Sequence, residues 1–185
     1  MKVLALSGSL RVASINTMLL RAAVRLAPTG IAVDLFDRLG GLPLFNPDIE
    51  ADPPPSVMDL RRRVSEADAL VIASPEYAHG ITGPMKNALD WLVGHGPFAG
   101  KPVAVLNASP RAHHADDALR EVLRTMAAVI VEPASITIPL LAAKLDEDGM
   151  VNTPWSAAAI RESLEALRAA STPDGLPSGP AFPMR

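Results

Sequence analysis

The first seventeen residues, MKVLALSGSLRVASINT, constrain the fold of this chain more than any other stretch. An uninterrupted apolar run predicts a buried strand at Val3–Leu6, and a polar loop follows from Ser7 to Asn16. Apolar side chains then recur at helical spacing from Met18 to Leu26. The order of strand, loop and helix places the loop beside the amino end of the first helix.

The polar side chains of this loop suit an anion. They are those of Ser7, Ser9, Arg11, Ser14 and Asn16. A helix amino terminus adds unpaired N–H groups and the positive end of the helix dipole, so we expect a phosphate-sized site here. The alternative is an ordinary turn in which Ser14 is the N-cap. The loop has neither the Gly-Lys-Ser/Thr of a Walker A motif nor the three glycines of the dinucleotide fingerprint.

Further short apolar runs predict the remaining strands of a sheet. They lie at Ile31–Phe36, Ala69–Ala73 and Val103–Asn107, and a fifth region comprises Val129–Val131 with Ile136–Ile138. These runs lack polar alternation, which is typical of strands buried on both faces. Helical patterns separate them, so we predict a doubly wound parallel sheet with helices on both faces. Ligand-type loops after the first, third and fourth strands favour the flavodoxin-like order 2-1-3-4-5.

The helical patterns have recognisable starts. Ser56 is the expected N-cap of a helix over residues 57–64, and Pro84 is expected to open a helix over residues 85–92. A third pattern covers residues 119–126, and Thr153 and Pro154 open the last, over residues 157–167. With 185 residues, we predict one domain over residues 1–170 and a Pro/Gly-rich tail over residues 171–185.

The composition excludes several classes of function. The chain has no cysteine, which rules out disulfides, thiolate catalysis and cysteine-ligated metal. A net charge of −3 argues against nucleic acid as a partner. No apolar run approaches the length of a membrane span. Because Met1 and Lys2 lead directly into the first strand, we expect no signal peptide and a cytoplasmic location.

The loop after the third strand carries further chemistry. It offers a carboxylate at Glu76, a phenol at Tyr77 and an imidazole at His79. Gly80 and Gly83 allow unusual backbone angles and expose their amides to a ligand. In a doubly wound sheet this loop lies beside the first one, at the switch point where ligands bind. A phosphate on one loop and a flat ring against the other describe a mononucleotide such as FMN.

Four stretches of the chain, taken together, resemble a known family. The matching stretches are residues 8–16, 42–46, 75–77 and 86–91, in matching order and separation. They are similar to those of the NAD(P)H-dependent FMN reductase family, which includes quinone, azo-dye and chromate reductases. The resemblance extends to about Leu167. It implies a flavodoxin-like fold, non-covalent FMN, NADH or NADPH as co-substrate, and a homodimer or homotetramer.

The resemblance also implies site residues. It places Ser9, Arg11, Ser14 and Asn16 around the FMN phosphate, and Pro75, Glu76 and Tyr77 beside the ribityl chain and the ring. The whole set expected to bind the cofactor is Ser9, Arg11, Ser14, Ile15, Asn16, Pro75, Glu76, Tyr77, Ala78, His79, Gly80 and Ser109. The flavin would perform the chemistry, with His79 as a candidate proton donor or an incidental loop histidine. We expect no metal, because His113 and His114 fit a solvated helix start supported by an Asp116–Arg120 pair.

The chain departs from the family pattern at three places. Ala78 replaces the usual Asn, residues 80–83 replace a Ser-x-Pro-Gly segment, and the loop of residues 108–114 has none of the usual glycines. The apolar 42–50 loop is expected at a subunit contact. Trp91 is expected either at the rim of the core or at a subunit contact, and we favour the contact.

The predicted function is transfer of hydride from a nicotinamide to FMN and then to a quinone, azo, metal-oxyanion or flavin acceptor, by a ping-pong scheme. The alternatives are a flavodoxin-like electron carrier, against which Arg11 and the modest net charge argue, and a non-redox binding or regulatory module of the same fold.

Overall fold

The computed structural model describes residues 1–171 and confirms the flavodoxin-like fold. Parallel strands lie in the order β2-β1-β3-β4-β5, and β6 also pairs with β4. The strands are β1 Lys2–Ser7, β2 Ala32–Phe36, β3 Ala69–Ala73, β4 Pro102–Asn107, β5 Val129–Ile130 and β6 Ile136–Thr137. The predicted tail falls outside the described residues, except for Ser171.

The fifth strand differs from the prediction because it is divided. β5 pairs with Pro102 and Val103, and β6 pairs with Leu106 and Asn107. The 3-10 turn Glu132–Ala134 lies between them and contains a proline, which has no N–H to donate to a ladder. The Ser135 hydroxyl accepts a hydrogen bond from the Val105 N–H (3.0 Å) at this break. The side chain therefore substitutes for the missing backbone acceptor.

Seven helices accompany the sheet within residues 1–171. They are α1 Ile15–Leu26, α2 Pro55–Glu66, α3 Gly83–Val93, α4 His113–Thr125, α5 Leu140–Ala143, α6 Glu147–Asn152 and α7 Pro154–Ala170. Ser14 caps α1 as predicted, accepting from the Thr17 N–H (3.3 Å). Ser56 does not cap α2, because the helix already begins at Pro55. α3 begins one residue before Pro84, with Thr82 as its N-cap.

The short helices α5 and α6 were not predicted, since neither is long enough to show an apolar period. The start of α6 does carry a cap, as Asp146 accepts from the Gly149 N–H (2.8 Å). This helix packs on α1, where Arg25 pairs with Glu147 (3.1 Å) and Asp148 (2.7 Å).

Alternate residues of the central strands enter two cores. Val3 and Ala5 pack in the cluster with α1, α6 and α7, whereas Leu4 and Leu6 pack in the cluster with α2, α3 and α4. β3 and β4 are buried along their whole length, as the apolar runs predicted. Because the strands are parallel, the loops after β1, β3 and β4 all reach the same edge of the sheet. No helix within residues 1–171 combines the length and apolar character needed to cross a bilayer.

Candidate functional site

The loops after β1 and β3 are bonded directly to each other. The Gly8 N–H donates to the Ala73 carbonyl (2.8 Å), and the Thr82 hydroxyl donates to the Gly8 carbonyl (2.6 Å). A Cβ atom on Gly8 would overlap the side chain of Ser74. Glycine is therefore required at this position by the close approach of the two loops.

The first loop presents polar groups around the amino end of α1. The Ser7 and Thr17 hydroxyls share a hydrogen bond (2.7 Å), and the Ser9 hydroxyl accepts from the Arg11 N–H (3.3 Å). Asn16 is only 5% exposed, yet its side-chain amide has no hydrogen-bond partner within residues 1–171. The N–H groups of the first helical turn also lack an intrahelical acceptor. These unsatisfied groups suit an anionic, oxygen-rich ligand.

Asn16 faces a cavity of about 270 Å³. Its lining is Ile15, Asn16, Ser74, Pro75, Glu76, Asn107, Ala108, Ser109, Arg111, Ala112 and Leu141. The structure thus brings residues from the loops after β1, β3 and β4 together, including five of the predicted site residues. Sequence reasoning missed Asn107, the last residue of β4, and Arg111 in the loop that follows it.

Other predicted site residues lie elsewhere. Ser9 and Arg11 line a second cavity of about 500 Å³, on the β2 side of the first loop. Ser14 is buried as the cap of α1 and lines neither cavity. The turn of residues 77–80 comes directly after Glu76 and also lies outside the lining of both cavities.

That turn carries unusual backbone angles on residues other than the expected glycines. Ala78 and His79 have φ values of 50° and 60°, whereas neither Gly80 nor Gly83 has a positive φ. Tyr77 and Gly80 exchange backbone hydrogen bonds (3.2 and 3.0 Å) across them. Positive φ at both central residues is the pattern of a type I′ turn, where Asn and Gly are favoured. The Ala78 departure therefore places a disfavoured residue in a left-handed position.

Glu76 connects this turn to the loop after β4. Its carboxylate accepts a hydrogen bond from the Ala115 N–H (3.0 Å) in the first turn of α4. The N-cap residue Ala112 has no side-chain cap of its own. This bond, aided by the nearby imidazoles of His114, His79 and His113, lowers the pKa of Glu76. Glu76 thus acts as a cap for α4 in addition to lining the cavity.

The glycine-free loop obtains its shape from Asn107. The Asn107 side chain accepts from the Ser109 N–H (3.0 Å) and donates to the Ala112 carbonyl (3.2 Å). No residue between 108 and 114 has a positive φ. The loop therefore needs no glycine, because an asparagine that bonds to the backbone two residues ahead forms the turn.

Three imidazoles are in contact beside the turn. The rings of His79 and His114 stack with centroids 4.3 Å apart, and those of His113 and His114 lie 4.1 Å apart. His113 does begin α4, and both residues of the pair are exposed as predicted. The Asp116–Arg120 pair is confirmed (2.6 Å). Within residues 1–171 no group of His, Asp or Glu has an arrangement that could hold a metal ion.

Trp91 is not a surface residue, so its predicted place at a subunit contact is wrong. It is 0% exposed, and its indole N–H donates to the Pro43 carbonyl (2.8 Å). Asn87 also binds Pro43 (2.9 Å) and accepts from the Phe45 N–H (2.8 Å). The 42–50 loop is thereby fastened to α3, which leaves Leu44 83% exposed.

The fold and the loops at its carboxyl edge define a flavodoxin-like α/β protein with a nucleotide-type site. The model of the NADPH-dependent FMN reductase family matches residues 1–141. An NAD(P)H-dependent FMN reductase of Pseudomonas aeruginosa is 35% identical over 173 residues, which cover 90% of this chain and 93% of that protein. This chain therefore belongs to the NADPH-dependent FMN reductase family, a family of oxidoreductases.

Two further comparisons agree. A quinone reductase of Escherichia coli K12 is 35% identical over 113 residues, covering 59% of this chain and 60% of that protein. Among solved structures, FerB, a flavoenzyme NAD(P)H:(acceptor) oxidoreductase from Paracoccus denitrificans, superposes with a TM-score of 0.72. It is 26% identical and the match covers 90% of this chain and 97% of FerB. The family supports FMN as the cofactor and NAD(P)H as the co-substrate.

The residues present fit an FMN phosphate and its polyol chain. The Asn16 amide, which makes no hydrogen bond within residues 1–171, and the first N–H groups of α1 are donors, and Ser109 adds a hydroxyl to the lining of the cavity. Among residues 1–171, Glu76 is the one acidic residue that lines this cavity, and its carboxylate is hydrogen-bonded to the first turn of α4.

Proposed function

We propose that this protein is an FMN-dependent NAD(P)H oxidoreductase that reduces a small-molecule acceptor by a ping-pong scheme. The acceptor classes are a quinone, an azo compound, a metal oxyanion or a free flavin. The observation that carries the proposal is Asn16 at the amino end of α1. Its side-chain amide makes no hydrogen bond within residues 1–171 and lines a cavity to which the loops after β1, β3 and β4 all contribute. The family assignment supplies the reaction class.

The residues of the cavity hold and orient the cofactor in this proposal. The amino end of α1 and Asn16 bind the phosphate, while Pro75 and Ser109 flank the chain that leads to the ring. Glu76 maintains the turn of residues 77–80 by its bond to α4. When bound, FMN accepts hydride from the nicotinamide and delivers electrons to the acceptor. His79 is the candidate proton donor, with its exposed ring stacked on His114.

Reduction of the bound flavin by a nicotinamide tests the proposal. We expect NADH or NADPH alone, without air, to bleach the flavin of the purified protein, and a quinone to restore its absorbance. Because both substrates would use one site in turn, double-reciprocal plots should give parallel lines. A flavin that remains oxidised for many minutes would favour the alternative of a flavodoxin-like electron carrier. A protein that neither retains nor rebinds FMN would favour the alternative of a non-redox binding or regulatory module.

Arg11 provides a separate test of the phosphate site. We expect Arg11→Ala to weaken FMN binding by about 1.5–3 kcal/mol, the range for a hydrogen bond to a charged group. Titration of apo-protein with FMN, followed by flavin fluorescence, measures the change. Arg161→Ala is the control, because Arg161 is an exposed arginine on α7. Unchanged affinity in the Arg11 variant would remove Arg11 from the FMN site.

The proposed assembly is a homodimer or a homotetramer. Support comes from Leu44, whose side chain projects from a loop that α3 holds firmly. The cytoplasmic location expected from the sequence stays a prediction.

A further inference from the structure

The second cavity, which Ser9 and Arg11 line, is separate from the cavity proposed to hold FMN. It opens between the loop after β1 and the segment that follows β2, and its volume is about 500 Å³. Its lining is Ser7, Ser9, Leu10, Arg11, Val12, Thr17, Arg21, Leu35, Phe36, Asp37, Leu39, Gly40 and Gly41. The proposed FMN site accounts for Arg11 of this set, but neither that site nor the packing of the two cores accounts for Arg21 or Asp37.

The cavity has a surplus of positive charge. Arg11 and Arg21 both line it, and neither guanidinium has an ion pair or side-chain hydrogen bond within residues 1–171. By contrast, Arg25, one turn further along α1, is paired with two acids. Among residues 1–171 one acid, Asp37, lines the cavity, and its carboxylate lies 3.8 Å from the Arg38 guanidinium, which partly offsets its charge. A guanidinium without an acidic partner is suited to a phosphate monoester, and Arg21 is outside the expected FMN site.

The other walls suit the remainder of a nucleotide. Leu10 and Val12 are 59% and 93% exposed, so they offer apolar surface on which a flat base can lie. Asp37 directly follows β2 and offers an acceptor for a sugar hydroxyl.

We propose that this cavity binds the adenosine 2′-phosphate part of NADPH and that Arg21 determines a preference for NADPH over NADH. The inference rests on the proposed function, since it assigns the site of that reaction's co-substrate. We assign the preference for NADPH to Arg21 and not to Arg11, because Arg11 belongs to the expected FMN site. The two dinucleotides differ only in the 2′-phosphate, so a cation at that position favours NADPH.

Steady-state kinetics of the FMN-loaded protein, with a quinone as acceptor, provide the first test. We expect Arg21→Ala to raise the KM for NADPH about ten-fold or more, the loss expected for a hydrogen bond to a charged group. The KM for NADH should change by less than about two-fold, because NADH has no group to contact Arg21. Arg161→Ala, which removes an exposed arginine of α7, should leave both KM values unchanged.

A binding measurement gives a readout that does not depend on turnover. Calorimetric titration of the FMN-loaded protein should show tighter binding of 2′,5′-ADP than of 5′-AMP, and Arg21→Ala should abolish that difference. Equal rises of KM for both dinucleotides would place their shared pyrophosphate in the cavity and overturn the assignment. Loss of FMN from the Arg21 variant would make this the FMN phosphate site, which also overturns it. Unchanged behaviour of the variant would overturn it as well.

The two proposals fail in different ways. If neither dinucleotide bleaches the flavin, the proposed function is wrong, while the titration with 2′,5′-ADP still reports on the cavity. If both dinucleotides bleach the flavin and the two adenosine phosphates bind equally, only the inference about Arg21 is wrong.

Discussion

At the scale of single residues, the backbone strain of the site turn is an unexpected feature. Ala78 and His79 are left-handed, as is Ala127, which follows the end of α4. Around Ala127 the backbone forms the pattern of a Schellman motif. The Ala127 N–H donates to the Arg124 carbonyl and the Ala128 N–H donates to the Leu123 carbonyl, both at 2.9 Å. Glycine is the usual residue at this position, so two alanines occupy positions that favour glycine or asparagine.

Replacing either alanine by glycine should stabilise the protein. Left-handed backbone costs an L-residue roughly 1–2 kcal/mol, and the greater freedom of glycine in the unfolded chain offsets part of this. We therefore expect Ala78→Gly and Ala127→Gly each to raise the free energy of unfolding by about 1 kcal/mol. Urea denaturation measures both, and Ala127 serves as the matched position away from the cleft. Stabilisation at position 127 alone would show that the turn of residues 77–80 is not strained.

At the scale of elements, Glu76 links the loop after β3 to the amino end of α4. The lowered pKa of this carboxyl means that its contribution to stability is present above its ordinary pKa of 4.5. That contribution is lost as the pH falls through the lower pKa of the folded state. The site loops should therefore loosen in acid before the protein loses its cores.

Glu76→Gln should reduce thermal stability near pH 7 and have a diminishing effect below about pH 4.5. The amide keeps the shape of the side chain but loses the charge that favours the helix amino terminus. Melting temperatures of both proteins between pH 3 and pH 7 measure the difference. Glu121→Gln, on the exposed face of the same helix, is the control. A difference that stays constant over this range would exclude the ionised carboxylate as the cause.

At the scale of the whole molecule, the 42–50 loop holds one apolar side chain, that of Leu44, in an exposed position. Trp91 and Asn87 hold Pro43 and Phe45, so Leu44 is exposed from a loop with little freedom to fold back. An ordered apolar side chain of this kind is suited to an interface, because association does not have to order it first.

Leu44→Asp should dissociate the proposed dimer. Burial of a leucine stabilises a contact by about 1.5–3 kcal/mol, so we expect the Kd of the dimer to rise at least about ten-fold. Light scattering over a range of micromolar concentrations measures the change. Val93→Asp introduces the same charge at the far end of α3, where the exposed valine lies at the amino edge of the sheet. Equal masses for the wild type and the Leu44 variant at every concentration would remove Leu44 from any interface.

The sequence by itself determined the β1–loop–α1 unit, the strand order and the cap at Ser14. These features depend on apolar periodicity and on partners a few residues away, such as the three-residue step from Ser14 to Thr17. The resemblance named Ile15, Asn16, Pro75, Glu76 and Ser109 among twelve cofactor-binding residues. The structure brings these five to one cavity, because the strand order places their loops at the same edge of the sheet.

Only the tertiary structure decided the rest. The hydrogen bond between Glu76 and Ala115 joins residues 39 apart in sequence, and that between Trp91 and Pro43 joins residues 48 apart. No local sequence pattern predicts either bond. The left-handed Ala78 and His79 oppose their own conformational preferences and are held by the bonds between Tyr77 and Gly80. Local preference is weak, about 1 kcal/mol per residue, and the contacts made by packed loops and helices are strong enough to override it.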